Sequence, residues 1–220
     1  MAACALTMLG AVVAFGVGAL IWPVHARVGL RYKLASILEG TGVLYRAVTV
    51  AALQGIDNEE EVRQLDRRLH DLRRGITQQM DEARSELAFF RFNQGAYQAF
   101  VELTDQVRRR LTAMAEDRSL YVHAQVQPAL LPSLPALVER TAQSFAALTE
   151  AVRQPDDTWK PTELEPAIRS LDADLAKLRE QRATNLFALD RMLPFWALAF
   201  NLREVAQDLQ QLESTLPQLA

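Results

Sequence analysis

Residues 1–24 contain no Asp, Glu, Lys or Arg. From Ala2 to Trp22 the chain is apolar except for Thr7, and it includes Cys4. As a helix this run spans about 30 Å, the thickness of the hydrocarbon core of a bilayer. Small residues recur along it at Gly10, Ala14, Gly16 and Gly18, as they do where membrane helices approach closely. Trp22 sits where an interfacial aromatic belongs, and Arg27, Arg31 and Lys33 follow at once. The sequence therefore predicts a transmembrane helix and its exit over residues 1–26. Trp22, Arg27, Arg31 and Lys33 lie at the membrane interface, and the positive-inside rule puts the following chain in the cytoplasm. A cleaved signal peptide is the weaker reading. Val24-His25-Ala26 loosely fits a cleavage site, but there is no basic leader and the apolar run is too long. A buried helix of a soluble core is weaker still for an uncharged run of this length.

All 24 basic and all 27 acidic residues follow that run, for a net charge of −3. This balance gives no reason to expect nucleic acid. The exception is local. Arg27, Arg31, Lys33 and Arg46 face only Glu39 before Ile56, which suits an anionic inner leaflet. The single cysteine, Cys4, leaves no disulfide framework and no Cys-based metal site, in keeping with a reducing cytoplasm.

Residues 27–220 read as one cytoplasmic helical domain. Leu34, Ile37, Leu38, Thr41, Leu44, Tyr45 and Val48 form one helix face, interrupted by Gly40 and Gly42. The glycines indicate a close helix–helix approach or a mild bend rather than a phosphate loop, which needs a preceding strand and a fuller glycine pattern. A turn at Ile56-Asp57-Asn58 leads into a long helix. Asn58 and Glu61 fit a capping box, and the acidic cluster suits the positive helix end. Val62, Leu65, Leu69, Leu72, Ile76, Met80, Ala83, Leu87 and Phe90 give that helix a coiled-coil-like seam. Phe92-Asn93-Gln94-Gly95 ends it. The next helix runs from about Ala96 to Asp117 with Tyr97, Phe100, Val101, Thr104, Val107, Leu111 and Met114 inward.

Pro128, Pro132 and Pro135 break the following connection. A helix resumes near Ser133 and reaches Arg153. The segment 154–161 is a loop, and Pro166 falls in the first turn of the next helix, which carries Leu164, Ile168, Leu171, Leu175 and Leu178. Pro194 is expected to divide that helix from a last one with Leu202, Val205, Leu209, Leu212 and Leu216. No stretch alternates as a strand does. The fold class is all-α: one N-terminal transmembrane helix followed by an elongated bundle of about five or six long helices.

No catalytic constellation accompanies this pattern. His25, His70 and His123 are far apart, and none belongs to an HExxH or Glu-x-x-His arrangement. The carboxylates at 59–61, 172 and 174 have no histidine at ligand spacing, and no nucleophile elbow is present. The sequence therefore names no catalytic residue, no metal ligand and no cofactor, and the chain does not read as an enzyme. His70 with the surrounding Arg67, Arg68, Arg73 and Arg74 reads as a solvated helix face. So does Arg108-Arg109-Arg110, although that run also suits lipid headgroups or an acidic partner. The apolar stretch from Met192 to Phe200 is expected in the core, being too short to span a bilayer.

The exit Trp22-Pro23-Val24-x-Ala26-Arg27, running into Leu30-Arg31-Tyr32-Lys33-Leu34-Ala35 and then Leu44-Tyr45-Arg46, resembles the point where the membrane bundle ends in the fusaric acid resistance (aromatic acid exporter-like) family. Ala83-Arg84-Ser85-Glu86-Leu87, followed by Tyr97, is similar to that family's soluble helical domain. The resemblance implies an inner-membrane protein linked to efflux of aromatic carboxylic acids and related toxic compounds. Family members place about six transmembrane helices before each such domain, whereas this sequence has one such run. One helix encloses no transport path. The expected partners are therefore the lipid bilayer and other transmembrane helices, from the same or a partner chain, with a homo-oligomer as one arrangement. The matched motifs carry over no transport residue. The expectation is the C-terminal part of an exporter-like permease, with the bundle serving assembly or regulation. The alternative is a membrane-anchored scaffold or sensor that binds a protein or small ligand.

Overall fold

A computed structural model describes residues 2–86, 93–117, 131–154, 159–180 and 189–219, with side chains described from residue 28 to 80 in the first of these and from 194 in the last. Six α-helices occupy these residues: α1 (Ala2–Gln54), α2 (Glu59–Glu86), α3 (Gln94–Glu116), α4 (Leu134–Arg153), α5 (Glu165–Glu180) and α6 (Leu189–Thr215). A 3₁₀ turn, Leu216–Leu219, follows. No strand occurs among the described residues.

The helix is continuous across the expected boundary between residues 26 and 27. α1 is one helix of 53 residues, about 80 Å long, and it passes through Pro23 without interruption. Its N-terminal half carries the uncharged run. Its C-terminal half buries Leu30, Leu34, Ile37, Leu38, Leu44, Tyr45 and Val48. The stretch Val28–Gln54 is itself long and apolar enough to cross a membrane, yet 56% of its most apolar window is covered by the bundle. That stretch is the bundle's central helix.

α1 packs against α2, α3 and α4, while α6 packs against α3, α4 and, more lightly, α5. Helices α1, α3, α6 and α4 thus form a four-helix ring. α2 lies against the α1–α3 side and α5 against the α4–α6 side. The first three helices and the last three have the same pattern of neighbours, and the two units join through α1 on α4 and α3 on α6. Contacts of Gly29 with Gln79 and Gly40 with Leu69, and of Gln106 with Asp208 beside Tyr97 with Leu219, show α1 antiparallel to α2 and α3 antiparallel to α6.

Local chemistry explains the ends. Gly55, at φ +68, closes α1 in the left-handed region where a side chain is strained. Its N–H and that of Ile56 both donate to the Ala51 carbonyl. The expected capping box at Asn58 does not form. The Asn58 amide instead donates to the Ala47 carbonyl at 2.9 Å, stapling the turn to α1, while the Asp57 carboxylate accepts from the Glu59 N–H. Asn93 caps α3 by accepting from the Ala96 N–H. Pro194 does not divide two helices but sits inside α6. It falls in the second turn, where it forfeits one backbone bond, and buried Phe195, Leu198, Ala199 and Leu202 hold the segment in place. The side chains of Met192 and Leu193 lie outside the described residues, and Phe200, the far end of that stretch, is exposed rather than in the core.

Buried threonines do not disrupt the core. Thr41, Thr49, Thr104, Thr141 and Thr149 each donate to the carbonyl four residues back, so none of these five hydroxyls is desolvated without a partner. The two central glycines mark close approaches. A Cβ on Gly40 would lie 2.7 Å from Leu69 Cδ2, and one on Gly42 would lie 3.1 Å from Phe145 Cβ. A Cβ on Gly75, in α2, meets nothing within 4 Å.

This contrast sets a test on chemical unfolding of the intact protein. Gly40→Ala should overpack a filled site and cost about 1–3 kcal/mol. Gly75→Ala should stabilise by about 0.5–1 kcal/mol through the unfolded chain. Equal effects of the two substitutions would contradict the packing described.

Candidate functional site

Polar chemistry inside the bundle is concentrated along α3, which faces α2 on one side and α6 on the other. The α2 seam explains why. Its inward positions are Val62, Asp66, Leu69, Arg73, Ile76 and Met80, a three–four repeat that includes two charged residues. The expected seam residues Leu65 and Leu72 lie beside it: Leu65 is half-buried and Leu72 is exposed. On α3, Asp105 is buried among the expected inward residues.

Asp105 accepts from three guanidiniums. Arg73 Nη1 lies 2.7 Å from Oδ2 and Arg108 Nε lies 2.9 Å from Oδ1, and Arg109 also binds Oδ2. Arg108 reaches on to Asp66, which also accepts from the Thr112 hydroxyl at 2.9 Å. Arg73 adds Glu102 at 2.9 Å. Arg110 turns the other way, to Asp208 on α6 at 3.2 Å, where the Gln106 amide donates as well. Burial alone would lower the Arg108 pKa, but the bonds to Asp105 and Asp66 outweigh it and hold the group above its ordinary value. At Asp208, burial pushes the pKa up against the opposing pull of Arg110.

These contacts correct two expectations. In the run Arg108-Arg109-Arg110, Arg108 and Arg110 are partly buried against Asp66, Asp105 and Asp208, while Arg109 is exposed and pairs with Asp105. Among the arginines of α2, Arg67, Arg68 and Arg74 are exposed, as is His70, but Arg73 is part of the network. A carboxylate at Asp105 flanked by inward residues, opposite inward Asp66 and Arg73, was the signal available in the sequence.

A second buried carboxylate has different surroundings. Glu213 on α6 accepts from the Ser144 hydroxyl on α4 at 2.6 Å and from the Thr162 N–H at 3.1 Å. No cation pairs with it among the described residues. Burial raises its pKa, and the bonds from Ser144 and Thr162 pull it down without cancelling that effect. The carboxylate closes the α4–α6 pair over the segment that leads into α5.

The residues placed at the membrane interface divide between described and undescribed side chains. Arg31 is half-buried and donates to the Leu219 carbonyl at 2.9 Å. Lys33 is half-buried on the same helix. The side chains of Trp22 and Arg27 lie outside the described residues, as do that of His25 and the whole of His123. At the opposite end of the bundle, a cleft of about 210 Å³ opens between the start of α2 and the end of α3, beside Glu59, Arg63, Asp66 and Glu116. Its charges are matched locally, Arg63 with Glu59 and Asp66 with Arg108. Among the described residues, no three His, Cys, Asp or Glu side chains converge as a metal site would require.

No family model matches the chain, and neither a curated protein nor a solved structure matches it.

The network and the lone carboxylate respond differently to substitution. Asp105→Ala leaves Arg108 without its buried partner and should cost about 3–5 kcal/mol, whereas Arg68→Ala should fall within about 0.5 kcal/mol of neutral. Leu69→Ala, at the tightest point of the seam, should cost about 2–5 kcal/mol. Glu213 contributes in the opposite sense from a salt-bridged carboxylate. Its native pKa lies above the unfolded value, so the native state binds the proton more tightly. Its contribution to stability is full below the ordinary glutamate pKa and declines as pH rises through the raised native value. Glu213→Gln keeps an oxygen for Ser144 and Thr162 and removes the charge. It should raise the melting temperature at neutral pH and leave it unchanged at acid pH. Thermal melts of both proteins across pH 4–8 read the difference directly.

Proposed function

We propose that the chain is a membrane-anchored helical domain of an exporter-like inner-membrane permease. In this reading the bundle lies in the cytoplasm and serves assembly or regulation of the efflux of aromatic carboxylic acids or related toxic compounds. The observation that carries the reading is α1. One uninterrupted helix joins an uncharged run of membrane length to the most enclosed helix of the bundle. A rotation or tilt of its outer half therefore moves Gly40 and Gly42 against Leu69 and Phe145, with no flexible linker between to absorb the motion. The Arg27, Arg31 and Lys33 cluster supports the cytoplasmic side. The efflux assignment rests on the resemblance at the membrane exit and around Ala83–Glu86. A transport path needs further membrane helices, from the same or a partner chain, or from further copies of this one.

Two measurements test this reading. A reporter fused after Ala220 should be active in the cytoplasm, and carbonate washing should leave the protein in the membrane pellet. Cells lacking the protein should accumulate an aromatic carboxylic acid and tolerate it less well. Membrane retention with unchanged accumulation and tolerance would discard the exporter and leave an anchored scaffold. Loss to the soluble fraction would discard the anchor itself.

A further inference from the structure

The end of the bundle from which α1 leaves toward the run 2–22 is closed by the short turn after α6. Within Leu216–Leu219, the Leu219 carbonyl accepts from Arg31 Nη2 at 2.9 Å and from the Tyr97 hydroxyl at 3.2 Å. The Gln218 carbonyl accepts from the Asn93 amide at 3.3 Å, the residue whose other side-chain atom caps α3. The Leu219 side chain is buried. Among the described residues, Arg31 is the only charged donor to this turn.

Arg31 also stands nine residues past Trp22 on the same helix, about 13 Å along its axis. An arginine on a helix leans toward the N-terminus, here toward the bilayer. Stretched that way, it closes about half the gap and brings its guanidinium to the edge of a headgroup layer about 5–8 Å thick. The neighbouring surface suits that layer. Val28 and Tyr32, on the same stretch of helix, are 47% and 53% exposed, and tyrosine favours membrane interfaces. Two acceptors thus compete for one guanidinium. The Leu219 carbonyl is neutral and takes a single bond, whereas a phosphate oxyanion takes a charged and often bidentate one, roughly twice as strong.

We propose that the turn Leu216–Leu219 is a releasable latch on the membrane-facing end of the bundle, held by Arg31 and freed when the phosphate oxyanion of an anionic headgroup takes over that guanidinium. The inference rests on the membrane reading of α1 and adds to it a device through which lipid composition reaches α6. The neutral donors Tyr97 and Asn93 remain in place after release of Arg31, so the latch loosens the turn without unfolding the bundle.

The test uses the full chain in nanodiscs of phosphatidylcholine alone and of phosphatidylcholine mixed with phosphatidylglycerol. Backbone hydrogen exchange is followed over residues 210–219, with residues 168–178 of α5 as the internal reference. Exchange in the turn should be roughly tenfold faster in the anionic discs, with the reference unchanged. Arg31→Gln should exchange rapidly in both discs. Tyr97→Phe should loosen the turn in both discs and keep the response to phosphatidylglycerol, so a general weakening of the end is distinguished from loss of the lipid-sensitive donor. Inorganic phosphate added to the neutral discs should have little effect, and an acceleration equal to that in anionic discs would overturn the headgroup as the trigger. Equal exchange of the wild-type turn in both discs, with the protein retained after a carbonate wash, would overturn the latch alone. Release of the protein by carbonate would overturn the membrane reading and the latch together.

Discussion

Helix α1 joins two stretches of different chemistry. Over residues 2–22 it carries no charge and suits a hydrocarbon surround on every side. From residue 28 onward one stripe is buried, and another presents Tyr32, Ser36, Glu39 and Arg46 to water. The burial is not uniform around the helix because α2, α3 and α4 cover three of its sides. The glycines let two of those neighbours approach the α1 backbone, Leu69 at Gly40 and Phe145 at Gly42. The ring contact of Tyr45 with Phe145, 5.5 Å between centroids, fills the space one turn further on. Three helices, α2, α3 and α4, pack directly on this one, and α6 closes the ring by packing on α3 and α4.

Apolar packing of this kind is permissive about register, because leucines slide past leucines at small cost. The charged residues of α2 and α3 are not permissive. Asp105 meets three guanidiniums only when α2 and α3 are aligned so that residue 73 lies opposite 102 and 105, and residue 66 opposite 108 and 112. A shift by one turn would take Arg73 from Asp105 and Asp66 from Arg108, leaving Asp105 only the arginines of its own helix. Net stabilisation from such a network is small, because desolvation offsets most of the attraction, but the penalty for misalignment is several kcal/mol. Arg110 with Asp208 and Gln106 extends the same constraint to α6. Polar groups in this bundle therefore specify one alignment out of several that the apolar surfaces would accept.

This division explains what the sequence made legible. Every inward residue read on α3 and α5 is buried or nearly so, and so is every one read on the C-terminal half of α1, because three–four spacing on a helix has one physical reading. The all-α class and the turn at Gly55 to Asn58 were equally legible. On α2 the expected Val62, Leu69, Ile76 and Met80 are buried and Leu65 packs against the core, but Leu72 is exposed. The inward charged residues Asp66 and Arg73 have partners on α3 that a single helix cannot reveal. The arginine run 108–110 was misread in part for the same reason. Asp105 lies three and four residues before Arg108 and Arg109 on the same helix, but the other partners lie 42 residues away at Asp66 and 98 residues away at Asp208. Pro194 shows the complementary failure. A local rule read it as a terminus, and buried neighbours on the C-terminal side override one missing backbone bond.

The two three-helix units give the remaining polar groups distinct tasks. The first unit is fastened within itself, α2 to α3, by charge neutralised among six side chains: Arg73, Arg108, Arg109, Asp66, Glu102 and Asp105. The second unit is fastened, α4 to α6, by Glu213, a carboxylate held by a hydroxyl and a backbone N–H. Neutralised charge is largely indifferent to pH near neutrality, whereas a buried carboxylate with a raised pKa is most comfortable when it holds a proton. The second unit is thus the more responsive of the two. Its α6 ends in the turn that Arg31 of the first unit holds. A perturbation entering along α1 therefore reaches α6 through two routes: laterally through the packed ring, and at the bundle's end through a single guanidinium. The lateral route runs through a close-packed core, which resists small displacements. At the bundle's end the turn is held by three side-chain hydrogen bonds, from Arg31, Tyr97 and Asn93, of which Arg31 alone comes from α1.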